Sequence, residues 1–513
     1  MHQPYYKNLL TKESPLPWVR LHGLKDYVDM VEILGKFPKI HQTINMVPSL
    51  LEQVEDYTNN EIKDRYLELS YKSAETLTDD EKRFIKENFF SINRDTVIAT
   101  HPRYYQLYFK AQNNSNFTTQ DYLDLQVWFN LAWTDPSFRA SIPELKKAVA
   151  KGRFYTEEDK RRTLEAQNEI LKNIFPAYKK FISNGQIELT MTPYYHPILP
   201  LLYNTKIARE ANTKATLPKT TFSYPQDAKA QIDMAVDFYK TRFNAPLDGM
   251  WPSEEAVCEH ILPYFMEAGL KWIVADEGIL FKSLKLKKRD TRLLYQPHIL
   301  RRKDQELAIV FRDRNLSDLI GFLYYKYKTE DAVNDFMKHL ENTAAAFKNE
   351  DVLLTIAMDG ENAWEYYPND GHDFLELLYK RLSEADFVKT TTVKEYLVTH
   401  PPKNEIKRIA AGSWIYTDFF KWINNPYKNK AWEYLTEARN LLEEIKDALT
   451  EDKRALAFKQ IYIAEGSDWF WWYGDNQADF DALFRMHLSN FYTIISKEIP
   501  SYLLSPLNAR NSF

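Results

Sequence analysis

Gly249-Met250-Trp251-Pro252-Ser253-Glu254-Glu255 and Ala357-Met358-Asp359-Gly360-Glu361-Asn362 are the two stretches on which the fold turns. Each begins as a buried-strand pattern and ends in a carboxylate beside a glycine or an aromatic. The first follows the turn-like Asn244-Ala245-Pro246, and the second continues the β-rich run Asp351-Val352-Leu353-Leu354-Thr355-Ile356. Two parallel strands that deliver carboxylates to one mouth supply what cleavage of a glycosidic bond needs. One group attacks or stabilises the anomeric carbon, and the other protonates the leaving oxygen. Glu254 and Glu255 are adjacent, so in an extended segment only one of them faces the mouth.

Working outward, β-rich runs at 40–47, 186–192, 247–251, 271–276, 307–312 and 352–359 alternate with helix-like stretches such as 228–241 and 329–347. Alternation of this kind builds a parallel α/β sheet, and its closure gives a barrel with functional groups at the C-terminal strand ends. Residues 49–184 are too many for a simple connection and are rich in helix formers, so they are read as a helical insertion. From 406 onward the pattern is helical again, at 429–449, 453–464 and 480–499. The expected division is a catalytic barrel over 1–405 and a helical domain over 406–513 that contributes to the substrate groove.

At 513 residues and 44% hydrophobic composition the chain can build a large core and a second domain. A net charge of −5 argues against a nucleic-acid partner bound through its phosphates. No apolar run reaches membrane-span length and no export signal opens the sequence, so no membrane partner and a cytoplasmic setting are expected. The one cysteine, Cys258, excludes an internal disulfide and reads as a buried structural thiol. With 13 glycines and neither a GxGxxG nor a Walker A pattern, nucleotide binding is not expected. Aromatics reach 15%, and Asp468-Trp469-Phe470-Trp471-Trp472-Tyr473 is dense enough to suggest a wall on which sugar rings stack.

Five blocks in order carry a resemblance to glycoside hydrolase family 57: His2-Gln3-Pro4-Tyr5-Tyr6; Gly185 to Leu189 continuing to Pro193-Tyr194-Tyr195-His196-Pro197; Gly249 to Glu254; Met358 to Asn362; and Gly412-Ser413-Trp414-Ile415 with Trp422 and Trp432. The resemblance implies an incomplete (β/α)7 barrel with a helical insertion and a C-terminal helical domain. It also implies a retaining α-glucan hydrolase of the α-amylase or amylopullulanase type that needs no metal or other cofactor. By position in the blocks, Glu254 is the nucleophile and Asp359 the general acid/base, whose pKa must then rise above the usual ~3.9. His2, His196, Trp251, Trp414, Asp468 and Trp469 are the expected contacts to an α-glucan or maltooligosaccharide. Each His is expected neutral, donating and accepting at vicinal hydroxyls. Glu188 orients a neighbour, and the pairs Asp276-Glu277 and Arg312-Asp313 are read as structural ion-pair formers.

One departure stands out. Met1 directly precedes His2, where family members carry a first barrel strand, so one strand is expected to be absent and His2 untethered. Other readings remain open at this point. A 4-α-glucanotransferase or branching enzyme uses the same two carboxylates, and a non-catalytic glucan-binding protein can share the fold. A zinc hydrolase on a related barrel would need His and Asp at ligand spacing, and no HxxxH motif is present.

Overall fold

The expected runs become strands where apolar and β-branched residues alternate between two buried faces. In the computed structural model, which describes residues 1–348, 350–361, 363–474 and 478–507, the seven-stranded sheet contains β1 (Gln42–Met46), β2 (Ile187–Met191), β3 (Gly249–Met250), β4 (Trp272–Asp276), β5 (His298–Arg302), β6 (Gln305–Arg312) and β7 (Asn404–Glu405). Their spatial order is β1-β2-β3-β4-β6-β5-β7. From β1 to β6 the neighbours are parallel, with Ile44 opposite Leu189, Met191 opposite Met250, Met250 opposite Ile273 and Ile273 opposite Ile309. β5 turns back antiparallel onto β6, and β7 pairs parallel with β5.

Side chains alternate as a doubly covered sheet requires. Trp272, Val274, Ala308 and Val310 form one small cluster inside the barrel, with Trp251 and Leu353 packed on it. Ile273, Ala275, Ile309 and Phe311 point the other way, into the large core under the helices. Gly249 is needed at β3, because a Cβ there would lie 2.0 Å from the Trp272 ring.

The run at 352–359 does not become a regular strand. It is extended and touches the sheet at a single parallel bridge, Thr355 to Arg312. Side chains take the place of ladder partners: Arg312 Nε donates to the Ala357 carbonyl at 2.7 Å, and the Ala357 N–H donates to Ser317 Oγ at 3.1 Å. The gap between this segment and β1 is occupied by Met1. Its nitrogen donates to the Asn45 carbonyl at 2.6 Å, its carbonyl accepts from Val47 N–H at 3.1 Å, and its side chain lies against Gly360. Seven segments therefore ring the barrel, and the expectation of an untethered N-terminal block is corrected. His2 N–H donates to Glu361 Oε1 at 2.7 Å, which fixes it to the segment that carries Asp359.

The insertion is helical as expected. Its helices Asp79–Asn88, Thr119–Ala132 and Glu157–Lys172 each start at a threonine whose capping box closes on the acidic residue three positions on. The C-terminal region is built from Pro426–Ile445, Glu451–Ala464, Ser467–Trp472 and Ala478–Ile494. It docks on the barrel through Arg439, whose guanidinium pairs with Asp227 at 2.6 Å with both side chains sealed from solvent. Among the described residues no helix is long and apolar enough to cross a membrane. Cys258 is buried, and burial pushes its thiol up to about 12.

Candidate active site

The chain leaves β3 through Trp251 and Pro252 and turns sharply. Both Glu254 and Glu255 adopt left-handed backbone conformations, with φ of 59° and 51°. Two successive non-glycine residues of this kind store strain, and here they send the two carboxylates into different surroundings. Glu254 faces the mouth, where its Oε2 accepts from Trp414 Nε1 at 2.7 Å. Glu255 is fully buried on the other side, with no hydrogen bond to either oxygen. Burial raises its pKa well above the usual range, and the charges of Arg312 and Arg314 oppose that rise.

Asp359 is exposed at the end of the second segment. Burial, followed by the negative charge of Asp359, raises Glu254 to about 8; the charge of His2 and the Trp414 N–H pull the other way. The cause is enclosure: Glu254 sits deeper than its partner and has one neutral donor to hold its charge.

His2 and His196 are brought together as a stacked pair, with ring centroids 3.8 Å apart and planes 21° from parallel. Their protonation differs. Burial lowers the His2 pKa, but Asp468, hydrogen-bonded to His2 Nε2 at 3.0 Å, together with Glu254 and Glu361 lifts it to about 9. His196 is held well below its ordinary value by burial and by the charge of His2. The expectation of two neutral rings is thus corrected: one imidazolium lies on one neutral imidazole. His196 is fixed through Nδ1 to Ser467 Oγ at 2.9 Å, and its carbonyl accepts from the Ser467 N–H at 3.0 Å. This contact is also what carries Asp468 from the C-terminal region to the barrel mouth. His2, His196 and Asp468 have the donor spacing of a metal site. The His2–Asp468 hydrogen bond and the His2–His196 stack join the three into one unit at the mouth.

Trp251 and Trp414 meet edge to face at 5.6 Å, and the Trp414 N–H donates to the Glu254 carbonyl at 3.1 Å. Both are half-buried at the mouth. Trp469 is not placed as expected. It is 1% exposed, its N–H is spent on the Ile463 carbonyl at 2.9 Å, and its ring lies near His487. An indole packed on all sides offers no face to a sugar. Phe470 is likewise interior, stacked on Trp432 at 4.4 Å, whereas Trp471 and Trp472 stay half-buried. Asn362, quoted in the motifs above, lies outside the described residues.

Two supporting residues carried no sequence signal for their roles. Glu361 is buried and holds His2 through its N–H. Arg312 donates to the Ala357 carbonyl and lies 5.2 Å over the Trp414 ring, so it touches the segment that presents Asp359 and the indole that holds Glu254. Other strand-end charges are paired as expected: Arg314 with Asp276, Arg289 with Glu277 and Asp313, Arg312 with Asp318.

Comparison with known proteins agrees with this architecture. An α-amylase of Dictyoglomus thermophilum is 22% identical over 354 residues, 61% of this chain, and the match spans 46% of that protein's length. Among solved structures, a branching enzyme from Thermococcus kodakaraensis superposes with a TM-score of 0.62 at 15% identity, covering 100% of this chain and 93% of that one. The α-amylase AmyC of Thermotoga maritima gives 0.58 at 13% identity, covering 96% and 91%. At these identities the likeness is one of fold. The model of glycosyl hydrolase family 57 matches residues 1–409, four-fifths of the sequence, and the chain belongs to that family.

Proposed function

We propose that the protein is a retaining glycoside hydrolase acting on α-glucans, with Glu254 as nucleophile and Asp359 as general acid/base. The observation that carries this reading is the convergence of two carboxylates, one from the turn after β3 and one from the extended segment 352–359, with the charge of Asp359 acting on Glu254 at the mouth of the barrel. In the first half-reaction Asp359 gives its proton to the glycosidic oxygen while ionised Glu254 bonds to the anomeric carbon. In the second, water loses a proton to Asp359 and displaces Glu254. Trp414 steadies the Glu254 carboxylate, and the Asp468–His2–His196 unit presents a charged and a neutral ring to sugar hydroxyls.

The groove in this reading is shared by a barrel domain over 1–405 and a helical domain over 406–513, and the setting is intracellular. Support for an α-glucan comes from the family and from the α-amylase relative. A 4-α-glucanotransferase or branching enzyme would use the same residues and differ in the acceptor.

The test is product analysis with maltoheptaose for the native protein, Glu254→Gln and Asp359→Asn. Shorter oligomers that vanish in both variants identify a hydrolase using this pair. Oligomers longer than seven glucose units that vanish in both identify a transferase. Equal behaviour of all three proteins would refute the catalytic pair and leave a glucan-binding protein.

A further inference from the structure

Behind the loop that follows Asp359 lies a second polar cluster, made of residues outside every block discussed above. Asp29 opens the helix Asp29–Glu32, Asp135 caps the insertion helix Pro136–Ser141, and His372 begins the helix His372–Glu384. A carboxylate oxygen from each aspartate and an imidazole nitrogen of His372 all lie within 4.8 Å of one another. His372 Nε2 and Asp135 Oδ2 are 2.6 Å apart. Asp29 is only 7% exposed, and its Oδ1 is sealed from solvent with no hydrogen-bond partner.

Carboxylates crowd around this trio, and burial together with their charges raises Asp29 well above the usual carboxylate range. Asp135, Asp26 and Asp370 all act on Asp29, and Lys25, which pairs with Asp26 and Asp370, opposes them. Arg139 is the second fixed cation, acting on Asp135 and Asp370 while its guanidinium is hydrogen-bonded to His101. Burial lowers the His372 pKa, but its hydrogen bond to Asp135 and the charge of that carboxylate raise it overall, so an ion would take the place of a proton here. An ion held by Asp29, Asp135 and His372 would give Asp29 Oδ1 the partner it lacks.

We propose that Asp29, Asp135 and His372 form a binding site for a divalent transition-metal ion of the Zn2+ type. One imidazole and two carboxylates are a common donor set for such an ion. Ligand bonds of about 2.0–2.2 Å need donors roughly 3.3–3.6 Å apart, so the trio closes on an ion with side-chain adjustments of about 1 Å. The ion takes no part in glycosidic chemistry. It ties the start of the helix after the Asp359 loop to the insertion and to the first helical segment of the barrel, and so strengthens the wall behind the mouth.

The experiment uses the full chain, dialysed against chelator and titrated calorimetrically with Zn2+ alone. The native protein is expected to bind one ion per chain with a rise in Tm. Asp29→Asn and His372→Gln are expected to weaken binding by at least ~100-fold, beyond the cost of losing an outer-sphere partner. His196→Gln, at the mouth, leaves it unchanged. A wild-type measurement guards against misfolded variants: Zn2+ shields His372, and not His196, from acylation mapped by mass spectrometry. The proposal is overturned by absence of saturable binding to folded protein. It is equally overturned by binding that survives both ligand variants, or by loss of binding and shielding at His196 instead. In those cases Asp29 is a protonated, neutral acid. None of these readouts depends on glycosidase activity.

Discussion

The two ends of the barrel handle a buried glutamate in opposite ways. At the floor, Glu188 on β2 accepts from Trp272 Nε1 at 2.9 Å through one oxygen, and from Thr43 Oγ at 3.2 Å and the Lys394 N–H at 2.9 Å through the other. At the mouth, Glu254 also accepts from a tryptophan N–H, but it faces the charge of Asp359 and lies within reach of the imidazolium of His2. Burial raises both carboxyls. The floor offsets that cost with neutral donors, which leaves a satisfied and inert group. The mouth leaves it standing, as a site that must move charge during a reaction requires.

The sharpest way to break this contrast is substitution at both ends. Asp359→Asn should lower kcat by about 10²–10⁴-fold, the range for loss of a general acid, and Glu254→Gln should lower it further because no nucleophile remains. Glu188→Gln should keep kcat within roughly an order of magnitude while losing stability by about 1–3 kcal/mol, because one acceptor oxygen becomes an NH2 group that faces an N–H donor. Steady-state kinetics and denaturant melts on the same preparations read both quantities. A floor variant as inactive as the mouth variants would erase the distinction.

The pH dependence sharpens it. A carboxyl raised to about 8 in the folded chain holds its proton where the unfolded chain has released it. From about pH 4.5 to 8 the native state therefore binds more protons, and the Glu254 contribution to stability falls as pH rises through that window. Glu254→Gln should remove this slope, making the variant more stable than the native protein at pH 8 and closer to it at pH 5. Asp359→Asn removes a charge that raises Glu254. The pH at which Glu254 is trapped by a fluoroglucoside with an activated leaving group, which needs no acid, should then fall. Stability that is equally pH-dependent with and without Glu254 would contradict the assignment.

How much of this was legible in the sequence depends on the range of the cause. Glu188 lies in β2 and Glu254 follows β3, where local period-2 patterning marks the strands. The helices of the insertion follow from local threonine caps. The segment at 352–359 was over-read as a strand, since its apolar pattern is right but its polar backbone is satisfied by Arg312 and Ser317, which no local pattern encodes. The β5–β6 hairpin was missed because its outer half, ending at Arg301 and Arg302, is charged and edge-like. The charge state of His2 depends on Asp468, Glu254 and Glu361, all distant along the chain. Asp29, Asp135 and His372 meet only in three dimensions, so the search for spaced ligand motifs was silent about them.

The smallest effects lie with the tryptophans, where composition alone misled. Trp414→Phe keeps an aromatic face but deletes the N–H that Glu254 accepts. A hydrogen bond to a charged group is worth about 1.5–3 kcal/mol, so kcat/KM should fall roughly 10- to 100-fold, with the Glu254 titration moved upward. Trp469→Phe deletes an equally well-formed N–H bond, to the Ile463 carbonyl, but inside the C-terminal core. That change should cost about 1 kcal/mol of stability and leave kcat and KM within about twofold. The two variants remove the same chemical group from two indoles that the sequence offers alike as sugar contacts, and differ only in what the N–H serves. If Trp469→Phe instead raised KM for maltooligosaccharides tenfold at unchanged stability, the indole would have to reach the groove in solution, and the core packing assigned to it would be wrong.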